Sequence, residues 1–170
     1  VWQALADDDP DVDAIYRLTT NAPCRFDRRA PVVLAAGTLS PFNSQNTAFI
    51  RDLLALMYLP AHVNFRVTDI LRSYVAQPIM WAAGYRLGFT GPTVRQVRNE
   101  HDFMDDFRSE LPLYLEAEAM IAGIRAAVRS GDSVSDNLHH VYRQLAGQGV
   151  VGEEEIALVE AWLDDVAGLS

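Results

Sequence analysis

The spacing of apolar positions changes near residue 105. Before that point short apolar runs alternate with turn signals, the layout of an α/β unit; beyond it the spacing is helical. In the first part, residues 14–19 (AIYRLT) and 31–35 (PVVLA) read as short buried strands separated by a polar loop. Residues 38–46 (TLSPFNSQN) are too polar for core and read as a loop. Residues 47–59 have the pattern of a short amphipathic helix stopped by Pro60. Residues 63–67 read as a strand, Thr68 as the N-cap of a helix over 69–83, Gly84 as its stop and Pro78 as a kink inside it. Residues 85–89 read as a further strand, closed by Gly91-Pro92.

In the second part, helices are expected over 111–129, 134–146 and 153–166, with breaks at Ser130-Gly131-Asp132 and across 147–152. Two regions follow: an α/β region over 1–105 and a helical C-terminal appendage over 106–170. No internal repeat or low-complexity segment interrupts either.

The 170 residues suit one domain, and 49% hydrophobic against 22% charged residues places the chain among globular proteins. The net charge of −9 argues against nucleic acid and anionic membrane surfaces as generic partners, since both select basic faces. All 14 basic residues are arginine, which removes Schiff-base lysine chemistry and the P-loop lysine. Cys24 is the single cysteine, so a disulfide framework and a cysteine-ligated zinc are excluded. Its neighbours, Ala22-Pro23 and Arg25, offer no base, and a structural thiol is expected. No stretch is apolar over a membrane-spanning length. The lone cysteine and the lack of a signal peptide point to the cytoplasm, an expectation that sequence ahead of Val1 could change.

Five aspartates, Asp7, Asp8, Asp9, Asp11 and Asp13, crowd the opening. A calcium loop fails here, because Ala14 stands where glycine is needed and Thr20 where the bidentate glutamate belongs. Asp-x-Asp pairs also hold a divalent metal on donor diphosphates, and the competing reading is a solvated acidic loop.

Four segments, taken in order, carry more information than any one of them. Residues 9–19 (DPDVDAIYRLT) and the following Arg25-Phe26-Asp27 come first, then residues 41–47 (PFNSQNT). Leu59-Pro60, residues 67–74 (VTDILRSY), Gln77, Met80 and Trp81 form the third; residues 85–92 with Thr93-Val94 form the fourth. Together they resemble the STELLO-type glycosyltransferases over about residues 5–99, whereas residues beyond about 110 have no counterpart in that resemblance. It implies a partial GT-A-like (Rossmann-like) sheet with helices, a nucleotide sugar and a carbohydrate or glycoconjugate acceptor as partners, and a divalent metal, Mn²⁺ or Mg²⁺, in the intact enzyme. It also places the metal-binding Asp-x-Asp upstream of residue 9, so that this chain is the acceptor side and Asp7 to Asp9 are not the metal motif. Pro78, where the family often carries arginine, and Asp9 depart from the pattern.

Inverting sugar transfer needs a carboxylate to take the acceptor hydroxyl proton, whereas retaining transfer needs a group that stabilises positive charge on the donor face. Either way one positioned Asp or Glu at a helix start is expected. Asp69 is the catalytic candidate: it falls in the first turn of the expected helix, where the dipole favours its ionised form, and Arg72 three residues on can hold it or meet a phosphate. A helix-start ion pair is the competing reading. Asn43, Ser44, Gln45 and Asn46 place four hydrogen-bonding side chains in one loop, suited to sugar hydroxyls or to ordinary turn chemistry. Asp11 and Asp13 alternate ahead of the expected strand and would share a face at a sheet edge, with Arg17 on the same parity as a pairing partner. His101 is the candidate metal ligand, against a structural histidine. His139 and His140 are adjacent on a helix and face different sides. Trp2, Trp81 and Trp162 could stack on sugars, although Trp81 shares the stripe of Ile70, Tyr74 and Gln77 and is expected in the core. The alternative is a non-catalytic glycosyltransferase-like protein that binds a protein partner through its C-terminal helices; a plain carbohydrate-binding module is a third.

Overall fold

The computed structural model describes residues 1–169. Its centre is a parallel pair: β1 (Trp2–Asp8) lies beside β4 (Gly88–Gln96), with Trp2 opposite Gly88 and Asp8 opposite Gln96. Two-residue strands edge the pair, β2 (Val32–Val33) against β4 and β3 (Thr47–Ala48) against β1, both antiparallel. The order is β2-β4-β1-β3, a small mixed sheet with several helices around it.

Several local expectations are corrected. Residues 14–19 are not a strand but helix α1 (Ala14–Thr19): the Asp13 carboxylate caps it, accepting from the Tyr16 N–H at 2.9 Å, and Ala14 and Arg17 are buried at helical spacing. The first strand is instead β1, whose acidic end disguised it; only Gln3 and Ala6 are buried along it. The expected strand over 85–89 is β4, and it does not close at Gly91-Pro92. The register shifts there by two residues relative to β1, a bulge that accommodates a proline unable to donate to the ladder. Residues 31–35 contribute only the exposed β2, and residues 63–67 form turns rather than a strand. The expected helix over 47–59 is β3 followed by a 3-10 helix, Arg51–Met57.

Helix α2 (Thr68–Ala82) is the core element, buried continuously from Leu71 to Met80. Thr68 opens it rather than capping it: its hydroxyl donates to the Asn64 carbonyl at 3.2 Å, and Val67 stands at the cap position. The helix continues through Pro78, and Gly84 ends it with φ of 85°, a conformation open to glycine at little cost.

The C-terminal helices are α3 (Phe103–Ala127), α4 (Val134–Gly147) and α5 (Glu154–Ala167). α3 starts earlier than its apolar spacing suggests, because Asp102 caps it, accepting from Met104 and Asp105 N–H groups at 2.9 and 3.1 Å. Packing does not respect residue 105. α3 lies against α1 and α2, and one hydrophobic cluster joins Phe42, Leu53 and Ile79 to Ile124, Val141 and Val159.

Candidate functional site

A cleft of about 400 Å³ opens where the end of β1, the 41–46 loop, the start of α2 and the first half of α3 meet. Asp11, Asp13, Asn43, Gln45 and Asp69 all line it. Five of the nine candidate site residues singled out from the sequence therefore converge, although they come from three separate segments.

Asp69 sits in the first turn of α2, and its Oδ2 accepts from the Ser44 N–H at 2.9 Å. Its carboxyl is pushed above the ordinary aspartate range, chiefly by burial. The Ser44 N–H works against the shift, Asp11 adds to it, and Arg72 opposes it. Asp69 is thus a carboxylate with one firm donor and a face toward open space.

Arg72 does not clamp Asp69. It is 4% exposed, lies against the rings of Phe42 and Phe49 at 5.2 and 5.3 Å, and donates to the Asn43 carbonyl and the Ser44 hydroxyl at 3.2 and 3.1 Å. It holds the backbone that holds Asp69, a load suited to a planar, always-charged guanidinium.

The 43–46 side chains are largely occupied by the loop itself. The Asn43 amide donates to the Asp11 carbonyl at 3.4 Å and accepts from the Gln45 N–H at 3.1 Å; Gln45 accepts from the Asp11 N–H at 3.2 Å. Asn46 donates to the Leu5 carbonyl and the Thr93 hydroxyl at 3.1 and 2.8 Å. Turn chemistry is what these bonds show, and it sets Asn43 and Gln45 in the wall; Ser44, Asn46 and Arg72 stand behind it.

Asp11 and Asp13 do not share a strand edge, since no strand follows them. Asp13 caps α1, and Arg17 pairs with Asp9 at 2.5 Å rather than with either of them. Asp11 is met by Arg98 at 3.2 Å and Arg66 at 3.7 Å. His101 lies outside the cleft, its Nδ1 3.4 Å from Asp106 Oδ2. Among the described residues no three His, Cys, Asp or Glu side chains converge as a metal would require.

Sequence reasoning missed the opposite wall. Arg66 pairs with Glu110 at 2.6 Å and reaches Asp106 at 3.3 Å, within ion-pair range but not aligned as a hydrogen bond. Glu110 also accepts from the Ala14 N–H at 2.8 Å and the Tyr114 hydroxyl at 2.6 Å, tying α3 to α1. The signal was present: Asp106, Glu110 and Tyr114 recur every four residues, one stripe of a helix, once the start at Asp102 is recognised. Phe26, Phe42 and Phe89 add aromatic surface. No tryptophan lines the cleft: Trp2 covers Gly88, Trp81 lies under Arg125, and Trp162 donates to the Ala55 carbonyl at 2.8 Å. His139 and His140 take different partners, Glu160 and Asp132. No helix among the described residues is long and apolar enough to cross a membrane.

Two curated relatives from Arabidopsis thaliana, "Probable glycosyltransferase STELLO2" and "Probable glycosyltransferase STELLO1", are 27% and 25% identical over 172 residues, a stretch covering 98% of this chain. The chain spans 22% of the length of each. The family model described as STELLO glycosyltransferases matches residues 66–170. That match takes in Arg66, Asp69, Arg72 and the whole of α3, α4 and α5, so the helical region that the sequence resemblance left unmatched is family sequence too. With more than half its length matched, the chain belongs to the STELLO glycosyltransferase family.

Proposed function

We propose that this chain forms the acceptor side of a nucleotide-sugar-dependent glycosyltransferase, with Asp69 as the group that takes the acceptor's proton. The observation that carries this reading is a carboxylate raised by burial, fixed by one backbone N–H, and facing a cleft of suitable size. In the step, the acceptor oxygen forms its bond to the donor sugar carbon as the bond from that carbon to the diphosphate breaks. The hydroxyl proton passes to Asp69 and the nucleoside diphosphate leaves with the electron pair. Asn43, Gln45 and Asp11 orient the acceptor, while Arg72 and Ser44 fix the approach of Asp69 from behind.

The divalent metal that the family implies does not fit the residues here. Asp11, Asp106 and Glu110 are already engaged by Arg66, and among the described residues no three such ligands converge at His101, which pairs with Asp106. On this reading the donor-binding half and its metal belong to sequence outside this chain, and the α/β and helical regions act together as one wall.

A non-catalytic partner-binding role is the second reading. In its favour, Phe65, Val97 and Leu115 are 90%, 87% and 77% exposed, each next in sequence to Arg66, Arg98 or Tyr114 at the cleft. The test is turnover of a nucleotide-sugar panel with Mn²⁺ by the longest natural form of the protein beside its Asp69→Asn variant. Turnover of one donor, lost in the variant, supports the transferase. No turnover with any donor, from folded protein, selects the partner-binding reading.

A further inference from the structure

The cleft's charge and surface restrict what can occupy it. Asp11, Asp13, Asp69 and Glu110 line it and Asp106 stands behind, whereas the guanidinium groups within reach are Arg66 and Arg98. Both are turned onto those carboxylates: Arg98 onto Asp11, and Arg66 onto Asp11, Asp106 and Glu110. Arg72 is buried against the Phe42 and Phe49 rings, outside the cleft lining. Among the described residues that line the cleft, no cation stands clear of a carboxylate to meet a ligand's negative charge. Beside this acidic side lie Leu5, Phe26, Phe42, Phe89, Leu113 and Tyr114. A volume of about 400 Å³ holds a hexose ring with one aryl or short alkyl group.

We infer that the occupant is an uncharged glycoside with an apolar aglycone, its sugar hydroxyls toward Asp69 and Asp11 and its aglycone on Phe89, Leu113 and Tyr114, and that the cleft turns anionic sugars away. This rests on the acceptor-side reading and deepens it. Five carboxylates against two guanidinium groups leave this side net negative, so an added carboxylate within several ångströms is repelled, whereas a neutral ring meets hydrogen-bond acceptors and apolar faces. Aromatic faces suit both the aglycone and the C–H surfaces of the sugar.

The test is binding followed by backbone NMR, with matched probes: phenyl glucoside against phenyl glucuronide, and phenyl galactoside against phenyl galacturonide, with free hexoses and UDP alongside. The expected result is that at least one neutral phenyl hexoside shifts the Phe89, Leu113 and Tyr114 signals. It binds at least about tenfold more tightly than its uronide and more tightly than the free hexose. Asp11→Asn should narrow the uronide gap several-fold. A uronide that binds as well as its neutral partner while UDP leaves these residues untouched overturns the charge rule and spares the acceptor-side reading. UDP displacing the phenyl hexoside from these residues overturns both. Absence of binding by either neutral probe, or no gain over the free hexose, overturns the inference.

Discussion

A partly buried carboxylate, Asp69, and a fully buried one, Glu155, show how the same chemical group serves different ends. Glu155, on the first turn of α5, is fully buried and accepts from the Ala61 and His62 N–H groups at 2.8 and 3.0 Å, from the Tyr58 hydroxyl, and from His62 Nδ1 at 3.0 Å. Burial alone would raise its pKa. Its four donors outweigh that and hold the carboxyl below the ordinary glutamate range. Asp69 is also desolvated, but it has fewer donors and a neighbouring Asp11, so burial wins and its carboxyl rises. Saturation makes a clasp; spare lone pairs beside a void make a proton acceptor. Donors and the neighbouring carboxylate set the two apart: Glu155 has four donors and Asp69 fewer, with Asp11 beside it.

The comparison breaks most sharply in activity. Asp69→Asn should cut transfer by roughly 10²–10⁴-fold, the usual contribution of a positioned base, with circular dichroism and melting temperature preserved. Its Oδ1 can still accept from the Ser44 N–H, so a large loss of stability would show that Asp69 is structural.

Acid should then separate the two groups. Asp69 has a raised folded pKa, so activity falls as pH drops through a value above the ordinary carboxylate range, approaching tenfold per unit. Glu155 has a lowered folded pKa, so its stabilisation is complete above its unfolded pKa and is lost only as pH falls through the lower folded value. The acid limb of the rate profile should therefore lie above the ordinary aspartate range, and the Glu155-dependent loss in the melting-temperature profile below the ordinary glutamate range.

Glu155→Gln keeps the shape but sets an NH₂ group against donors. It should destabilise by roughly 2–3 kcal/mol, read by chemical denaturation, with acceptor binding unchanged. Arg66→Met leaves Asp11, Asp106 and Glu110 without their shared cation and should cost roughly 1–2 kcal/mol. Hydrogen exchange should locate that loss in the first half of α3 and in α1. The smallest effect is expected from Asn43→Ala, about 1 kcal/mol or less, seen as a several-fold rise in acceptor KM as the Asp11 loop loosens.

What the sequence made legible follows the same division. α4 and α5 were readable because glycines with positive φ, Gly131 and Gly149, punctuate them and their apolar stripes are long. Asp69 was readable as a helix-start carboxylate, and the 43–46 loop as a polar turn. Residues 14–19 were not, since six residues cannot separate a period of two from one of 3.6, and the Asp13 cap that decides it was read as a ligand. β1 was hidden by Asp7 and Asp8, which end the strand where it leaves the sheet. The Arg66–Glu110 wall joins residues 44 positions apart, a pairing that local pattern does not reveal.

The most direct measurement is a ¹³C carboxyl NMR titration of Asp69 and Glu155 in the same sample, with Asp69→Asn and Glu155→Gln for assignment. The account predicts Asp69 titrating above an ordinary aspartate and Glu155 below an ordinary glutamate. Asp69 titrating at or below an ordinary aspartate would contradict the claim that the cleft carboxylate is the one prepared to take a proton, and Glu155 at or above an ordinary glutamate would contradict its role as a saturated clasp.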